Sequence, residues 1–146
     1  MANSPETRIE IQLISQVSAL SYISTNSISV RSSDDMEELK ADAFVNVSCS
    51  KAERLDPTYD FYRTDVEITS TTHIPNDEDQ TISESLYDAV NDWAQNLTAA
   101  DVNTPLADPE ITVDGIVPQT NDTEYDDNWR LKTLRFQLFY TFTQTT

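Results

Sequence analysis

The side chains that most often perform acid–base or nucleophilic chemistry are scarce in this 146-residue chain, which has one histidine and one cysteine. His73 stands between a predicted strand and a predicted helix, and its imidazole is of the type that acts as a general base. Cys49 ends an alternating apolar segment, which favours a small buried side chain over a nucleophile. The sequence shows no nucleophile paired with a base, so we expect no enzymatic activity.

Carboxylates are the abundant reactive groups, and they cluster at residues 76–79 and 122–128. Neither cluster has the alternating ligands and central glycine of an EF-hand calcium loop. Asp77 and Asp79 suit instead the positive N-terminal end of the helix that follows them. One cysteine and one histidine are too few for a zinc site. The single glycine, Gly115, excludes glycine-rich phosphate loops and dinucleotide-binding motifs. We therefore expect no metal and no cofactor.

The charge of the chain is extreme, because 26 acidic residues face 9 basic ones and give a formal net charge of −17. Such a surface repels nucleic-acid phosphates and anionic membranes. No run of about eighteen apolar residues is present, so no membrane-spanning segment is expected. Three explanations of the acidity remain open: a solubilising surface, adaptation to very high salt, and the lining of a passage that DNA crosses without adhering.

An amphipathic helix is predicted over residues 6–20, where apolar residues recur every three or four positions. The residues on its main apolar face are Ile9, Leu13, Val17 and Leu20. Ile11 and Ile14 widen that face, which suggests contact with a second surface such as another subunit.

A strand and a helix, predicted at residues 59–70 and 80–98, form the centre of the expected scaffold. The strand alternates Tyr62, Thr64, Val66 and Ile68 with Phe61, Arg63, Asp65 and Glu67. The helix repeats Ile82, Leu86, Val90, Trp93 and Leu97 on one face. The segment Thr81–Glu84 has the form of a capping box at the helix start.

The remaining patterns predict strands at residues 27–31, 43–49 and 111–117, with a bulge at Gly115, and a final strand built on Leu134–Phe142. Residues 21–26, 98–110 and 118–128 are predicted turns or loops, since they are polar or contain proline, and residues 32–40 are predicted as a solvated loop or a single helical turn. The predicted fold is one α+β domain over residues 1–146: a two-layer sandwich with a mainly antiparallel four- to five-stranded sheet and two helices on one face. The other face includes Phe61, Leu131 and Phe139 among charged residues, a pattern found both in surfaces used by a neighbour and in scattered exposed apolar residues.

This order of elements resembles the tail terminator proteins of tailed viruses and is similar to the minor tail protein U family. The resemblance covers nearly the whole chain. The segments that carry it are Ala43–Val47, Tyr59–Ile68, Leu86–Trp93 and Trp129–Tyr140. It implies a virion subunit in the tail or neck, made in the host cytoplasm, that forms a homo-hexameric ring. The ring would cap the tail tube protein and join it to the head-side neck or connector protein. A virus of a halophilic host would account for the acidity.

The ring implied by this resemblance suggests roles for two sets of residues. Apolar residues beyond the needs of a core, with one neighbouring arginine, are the candidate subunit interface: Ile11, Phe61, Arg63 and Phe139. The acidic residues of a predicted loop are the candidate channel lining: Asp122, Glu124, Asp126 and Asp127. Like charge there would let DNA pass without specific binding.

Other functions remain open at this level. Tail-completion and head-closure subunits are neck proteins of similar size that also form rings. A soluble binding module or assembly chaperone would stay monomeric or dimeric and be absent from particles. A small acidic hydrolase would need a pocket around His73 or a pair of carboxylates.

Overall fold

The structure, a computed structural model, describes residues 4–32, 42–50, 52–56, 58 and 60–143. Four α-helices and six β-strands occur in these residues, with a 3₁₀ turn at Ile74–Asn76. Their bounds are α1 (Pro5–Ser18), α2 (Ser21–Thr25), β1 (Ser29–Ser32), β2 (Ala43–Cys49), β3 (Glu53–Arg54), β4 (Phe61–His73), α3 (Thr81–Asn96), α4 (Ala99–Leu106), β5 (Ile111–Asp126) and β6 (Trp129–Phe142). The loop predicted over residues 32–40 lies, beyond Ser32, outside the described residues.

The strands form a mixed sheet in the order β1-β2-β4-β6-β5, and the short β3 pairs with β4 alongside β2. The β1–β2 pair is parallel, and every other pairing is antiparallel. The α+β class and the mainly antiparallel sheet are therefore confirmed. The element counts are corrected: the described residues contain six strands instead of four or five, and four helices instead of two.

The hydrophobic core lies between the helices and one face of the sheet. Ile9, Leu13 and Val17 of α1 are fully buried, as the predicted apolar face of that helix requires. They join Val66 and Ile68 of β4 in one cluster. Each fully buried aliphatic side chain of this kind stabilises the fold by about 1.5–3 kcal/mol. None of the helices in the described part of the chain is long and apolar enough to cross a membrane.

The start of α3 is fixed by a buried carboxylate and not by the predicted capping box. Asp77, only 3% exposed, accepts hydrogen bonds from the backbone N–H groups of Ile82 and Ser83, each at 2.8 Å. Gln80 occupies the N-cap position with a φ of 64° and makes no side-chain capping bond. The prediction of a capping box at Thr81–Glu84 is therefore wrong, whereas the prediction that Asp77 lies at the positive end of the helix is confirmed.

The helix α4 replaces a predicted loop. A capping box forms between Thr98 and Asp101 and satisfies the first backbone donors. Pro105 has no N–H for the carbonyl oxygen of Asp101, and the side-chain amide of Gln16 donates to that oxygen at 3.0 Å instead. The proline signal was misleading because a side chain from another helix supplies the missing donor.

The hairpin of β5 and β6 is longer than the sequence predicts. Residues 118–128 are predicted as a loop, yet β5 continues to Asp126 and pairs with β6 as far as Trp129. Backbone pairing with β6 holds these polar, exposed residues in a strand, together with the Arg135–Asp122 ion pair and the contact of the Arg130 guanidinium with the Tyr125 ring. The register shifts between Val113 and Gly115, which confirms the predicted bulge, and shifts again between Pro118 and Asn121.

Candidate interaction surface

One face of the sheet is not covered by any of the four helices in the described residues, and we call it the open face. In β4 and β6 it consists of the residues that alternate with the core positions. It therefore contains Phe61, Arg63, Asp65, Glu67, Trp129, Leu131, Arg135 and Phe139. Directly opposed residues of an antiparallel pair point to the same side, so these side chains form one continuous surface.

Aromatic rings lie at both ends of the open face. Phe61 and Phe139 stack at 6.1 Å with an interplanar angle of 16°. At the other end, Trp129 contacts Phe44 at 5.9 Å and His73 at 4.7 Å between ring centroids. Partly exposed aromatic rings are the side chains that most often anchor protein–protein interfaces.

Ion pairs occupy the middle of the open face. The guanidinium of Arg135 contacts Asp122 at 2.5 Å and Glu67 at 3.6 Å. The hydrogen bond to Asp122 raises the pKa of Arg135 above its ordinary value, with smaller contributions from the charges of Glu67 and Asp122. Arg63 similarly pairs with Glu53. These ion pairs hold their side chains in register. They add little to stability, because they are solvent-exposed.

The predicted interface residues do not form one patch. Phe61, Arg63 and Phe139 lie together, since Arg63 is the direct cross-strand partner of Phe139. Ile11 lies on α1, in the layer that covers the other side of the sheet, and is 54% exposed. The candidate interface is thus divided between the open face and the outer side of the helices.

The predicted acidic loop is a strand and a turn, which we call the acidic hairpin: Asp122, Glu124, Asp126 and Asp127. The first three alternate along β5 opposite Thr133, Leu131 and Trp129, so they extend the open face. Asp127 forms the turn with a φ of 51°. The structure thus places three of the four carboxylates on the same surface as the aromatic and ion-paired residues.

The two side chains considered for catalysis lie apart. His73 packs on Trp129 on the open face, and Asn76 lies 3.3 Å from its Nδ1. Cys49 is partly buried against the core. Burial, together with the carboxylates of Glu10 and Glu6, raises the pKa of the Cys49 thiol and keeps it protonated near neutral pH.

Sequence reasoning did not predict a groove on the outer side of the helices, which has a volume of about 580 Å³. Leu20, Trp93 and Leu97 are its larger apolar lining residues. Gln16 donates to the Asp101 carbonyl and accepts from Trp93 Nε1 at 3.3 Å, which ties α1, α3 and α4 together there. The partial exposure of Trp93 is the one signal that could have indicated this groove. Apolar periodicity in the sequence does not report how exposed a side chain is.

Comparison with known proteins establishes the fold. No protein-family model matches the chain, and no curated protein matches it. Among solved structures, it is similar to a chain of the virion of a native gene transfer agent particle, with 15% identity and a TM-score of 0.61, over 94% of this chain and 99% of the other. A second solved chain shares 10% identity with a TM-score of 0.52, over 96% and 94% of the two chains. The likeness shows a common fold over nearly the full length of both pairs.

Proposed function

We propose that this chain is a structural subunit of a virus-like particle, and that it acts as the tail terminator. Copies would form a homo-hexameric ring that caps the tail tube and docks to the head-side neck. The observation that carries the proposal is the fold, which is shared over 94% of this chain with a chain of a gene transfer agent virion. The order of strands and helices that resembles tail terminators supports the narrower role.

The distribution of exposed apolar side chains supports assembly through two different surfaces. Phe61 and Phe139 lie on the open face, and Ile11 lies on the outer side of the helices. A ring with rotational symmetry needs this arrangement, because each subunit offers one surface to a different surface of the next. Self-complementary contacts would stop at a dimer.

The acidic hairpin suits a channel that DNA crosses. Its carboxylates belong to a chain of net charge −17, and like charge keeps a polyanion from adhering. In this proposal the chain makes no specific contact with nucleic acid and none with a membrane. The same acidity fits a particle assembled in the salt-rich cytoplasm of a halophilic host.

The proposed role is not enzymatic. The raised pKa of the Cys49 thiol disfavours a thiolate nucleophile at neutral pH. His73 packs on the Trp129 ring, and its Nδ1 lies 3.3 Å from Asn76 and 3.8 Å from the Asp42 carboxylate. An assembly protein needs neither a nucleophile nor a cofactor, so these residues are left with packing roles.

Sedimentation velocity at molar salt tests the assembly. We expect a ring population that grows with protein concentration. We expect the Phe139→Asp variant to form no rings. Thr104→Asp adds the same charge to an exposed position of α4 and serves as the matched control, which should assemble normally. Circular dichroism must show native helix content for both variants. A wild-type chain that stays monomeric or dimeric at every concentration would favour a soluble assembly chaperone.

A further inference from the structure

Two buried polar atoms lie where the end of the sheet meets the start of α3. Thr72 of β4 and Arg130 of β6 are 1% and 4% exposed, and they are direct partners in the β4–β6 register. Thr72 alternates in phase with the core residues Val66 and Ile68, so both partners project to the core face of the sheet. The Thr72 Oγ1 and the Arg130 Nε have no hydrogen-bond partner among the described residues.

The rest of the Arg130 guanidinium is already engaged. Its Nη1 donates to Asp77, at 3.4 Å from the Oδ2 and 3.5 Å from the backbone carbonyl oxygen. Its Cζ lies 5.9 Å from the centre of the Tyr125 ring. Arg130 therefore cannot turn its Nε toward another acceptor without losing these contacts. The Thr72 hydroxyl is restricted as well, because its side chain is β-branched and has few rotamers.

The charges around the two atoms limit what can bind between them. A metal cation would be repelled by the Arg130 guanidinium, and an anion by the Asp77 carboxylate, which is 3% exposed. An apolar group would leave a buried N–H and a buried hydroxyl without partners, which is unfavourable. A small neutral molecule that both accepts and donates hydrogen bonds satisfies both atoms, and water is the smallest of that class.

We propose that a buried water molecule binds between Thr72 and Arg130 and joins β4 to β6 beside the carboxylate that fixes the start of α3. Its oxygen accepts a hydrogen bond from the Arg130 Nε–H, and it donates one to the Thr72 Oγ1. Buried waters need roughly two to four polar partners, and these two atoms meet that requirement. The water positions the guanidinium for its bond to Asp77. The site is independent of the proposed ring, because it lies inside one subunit.

Removal of the Thr72 hydroxyl distinguishes a bridged group from an unsatisfied one. Thr72→Val keeps the shape of the side chain. It should raise the equilibrium constant for unfolding about fivefold or more, since a buried hydrogen bond is lost. A hydroxyl without any partner predicts the opposite sign, because the substitution would remove an unsatisfied polar group from the interior. Urea unfolding at constant high salt measures the constant, and an unchanged or lowered value would overturn the proposal.

Arg130→Met tests whether the hydroxyl acts through the water. In this background the water has lost its Nε–H donor, so Thr72→Val should change the equilibrium constant less than about twofold. Thr64→Val is the matched control, because Thr64 is also buried on β4 but donates directly to the Ser50 carbonyl at 2.8 Å. Its effect should be equal in both backgrounds. A Thr72→Val effect that persists in full in the Arg130→Met background would mean a direct bond to the protein and would overturn the bridge.

A crystal structure of the wild-type chain tests the site even if a variant fails to fold. We expect one electron-density peak at hydrogen-bonding distance, about 3 Å, from both the Arg130 Nε and the Thr72 Oγ1. Soaking in a bromide salt should leave that peak without anomalous signal. A bromide signal would assign the site to an anion. That result, the absence of a peak, or direct protein partners for both atoms would each contradict the proposal.

Discussion

The buried pair of Asp77 and Arg130 gives the sharpest prediction about how α3 is held on the sheet. The side chains are 1% and 5% exposed, and the Arg130 Nη1 lies 3.4 Å from Asp77 Oδ2. Asp77 also accepts two backbone N–H bonds at 2.8 Å. The carboxylate thus has three partners, and the guanidinium bond is the longest of the three.

The difference between the two short backbone bonds and the longer guanidinium bond sets the expected changes in the free energy of unfolding. Asp77→Ala leaves two helix N–H groups uncapped and a buried guanidinium without its carboxylate, so it should reduce the free energy of unfolding by about 3–5 kcal/mol. Arg130→Met leaves Asp77 with its two backbone donors and should cost only about 1–2 kcal/mol. The double variant Asp77→Ala/Arg130→Met should have a free energy of unfolding about 1–2 kcal/mol higher than Asp77→Ala, because it no longer buries a guanidinium without a carboxylate.

Urea unfolding at constant high salt, followed by circular dichroism, measures these three values. Thr104→Ala, at an exposed site of α4, controls for a change that touches neither residue. The reasoning is refuted if Arg130→Met destabilises more than Asp77→Ala, or if the double variant loses the full sum of the single losses.

Four other predictions follow from the described geometry. Gly115→Ala should change the free energy of unfolding by less than about 1 kcal/mol, because its φ is not positive and an added Cβ meets open space; calorimetry showing a larger loss would contradict this. Backbone and side-chain hydrogen bonds from Thr81 lower the pKa of Asp79, so this carboxylate stabilises the fold above the ordinary pKa of aspartate and loses that effect as pH falls through the lowered value. NMR titration should show that Thr81→Val, which removes only the side-chain bond and keeps the backbone N–H bond, raises the Asp79 pKa part of the way back; an unchanged value would count against the side-chain bond. Stability should rise as salt is increased from 0.1 to 1 M, where the screening length falls from about 10 to about 3 Å, and a flat urea midpoint would argue against self-repulsion. Replacing the acidic hairpin carboxylates by Asn or Gln should slow DNA ejection from particles while rings stay intact, and unchanged ejection would remove the channel role.

The sequence predicted the elements whose apolar pattern is long and regular. Val66 and Ile68 of β4, and Leu86 and Val90 of α3, are buried as their spacing requires. The short elements were missed because their signals are outweighed locally: Pro105 indicates a loop, whereas the distant Gln16 amide supplies α4 with the donor that this proline lacks. Long-range donors of this kind cannot be read from neighbouring residues.

The candidate surface was predictable in part, because the side chains of β4 and β6 alternate regularly. Alternation in β4 and β6 placed Phe61, Arg63 and Phe139 on one face, and the structure confirms that these three residues are neighbours. The acidic residues 122–126 were predicted in a loop because no apolar alternation marks them. Their pairing with β6 is made by backbone groups, which the side-chain pattern does not report.

The composition of purified particles tests the central proposal most directly. Quantitative mass spectrometry of particles from the host, combined with electron microscopy, would count the copies of this chain and locate them. We predict one hexameric ring per particle at the junction between the tail tube and the neck. Absence of the chain from particles, or a copy number that scales with tail length, would contradict the proposal.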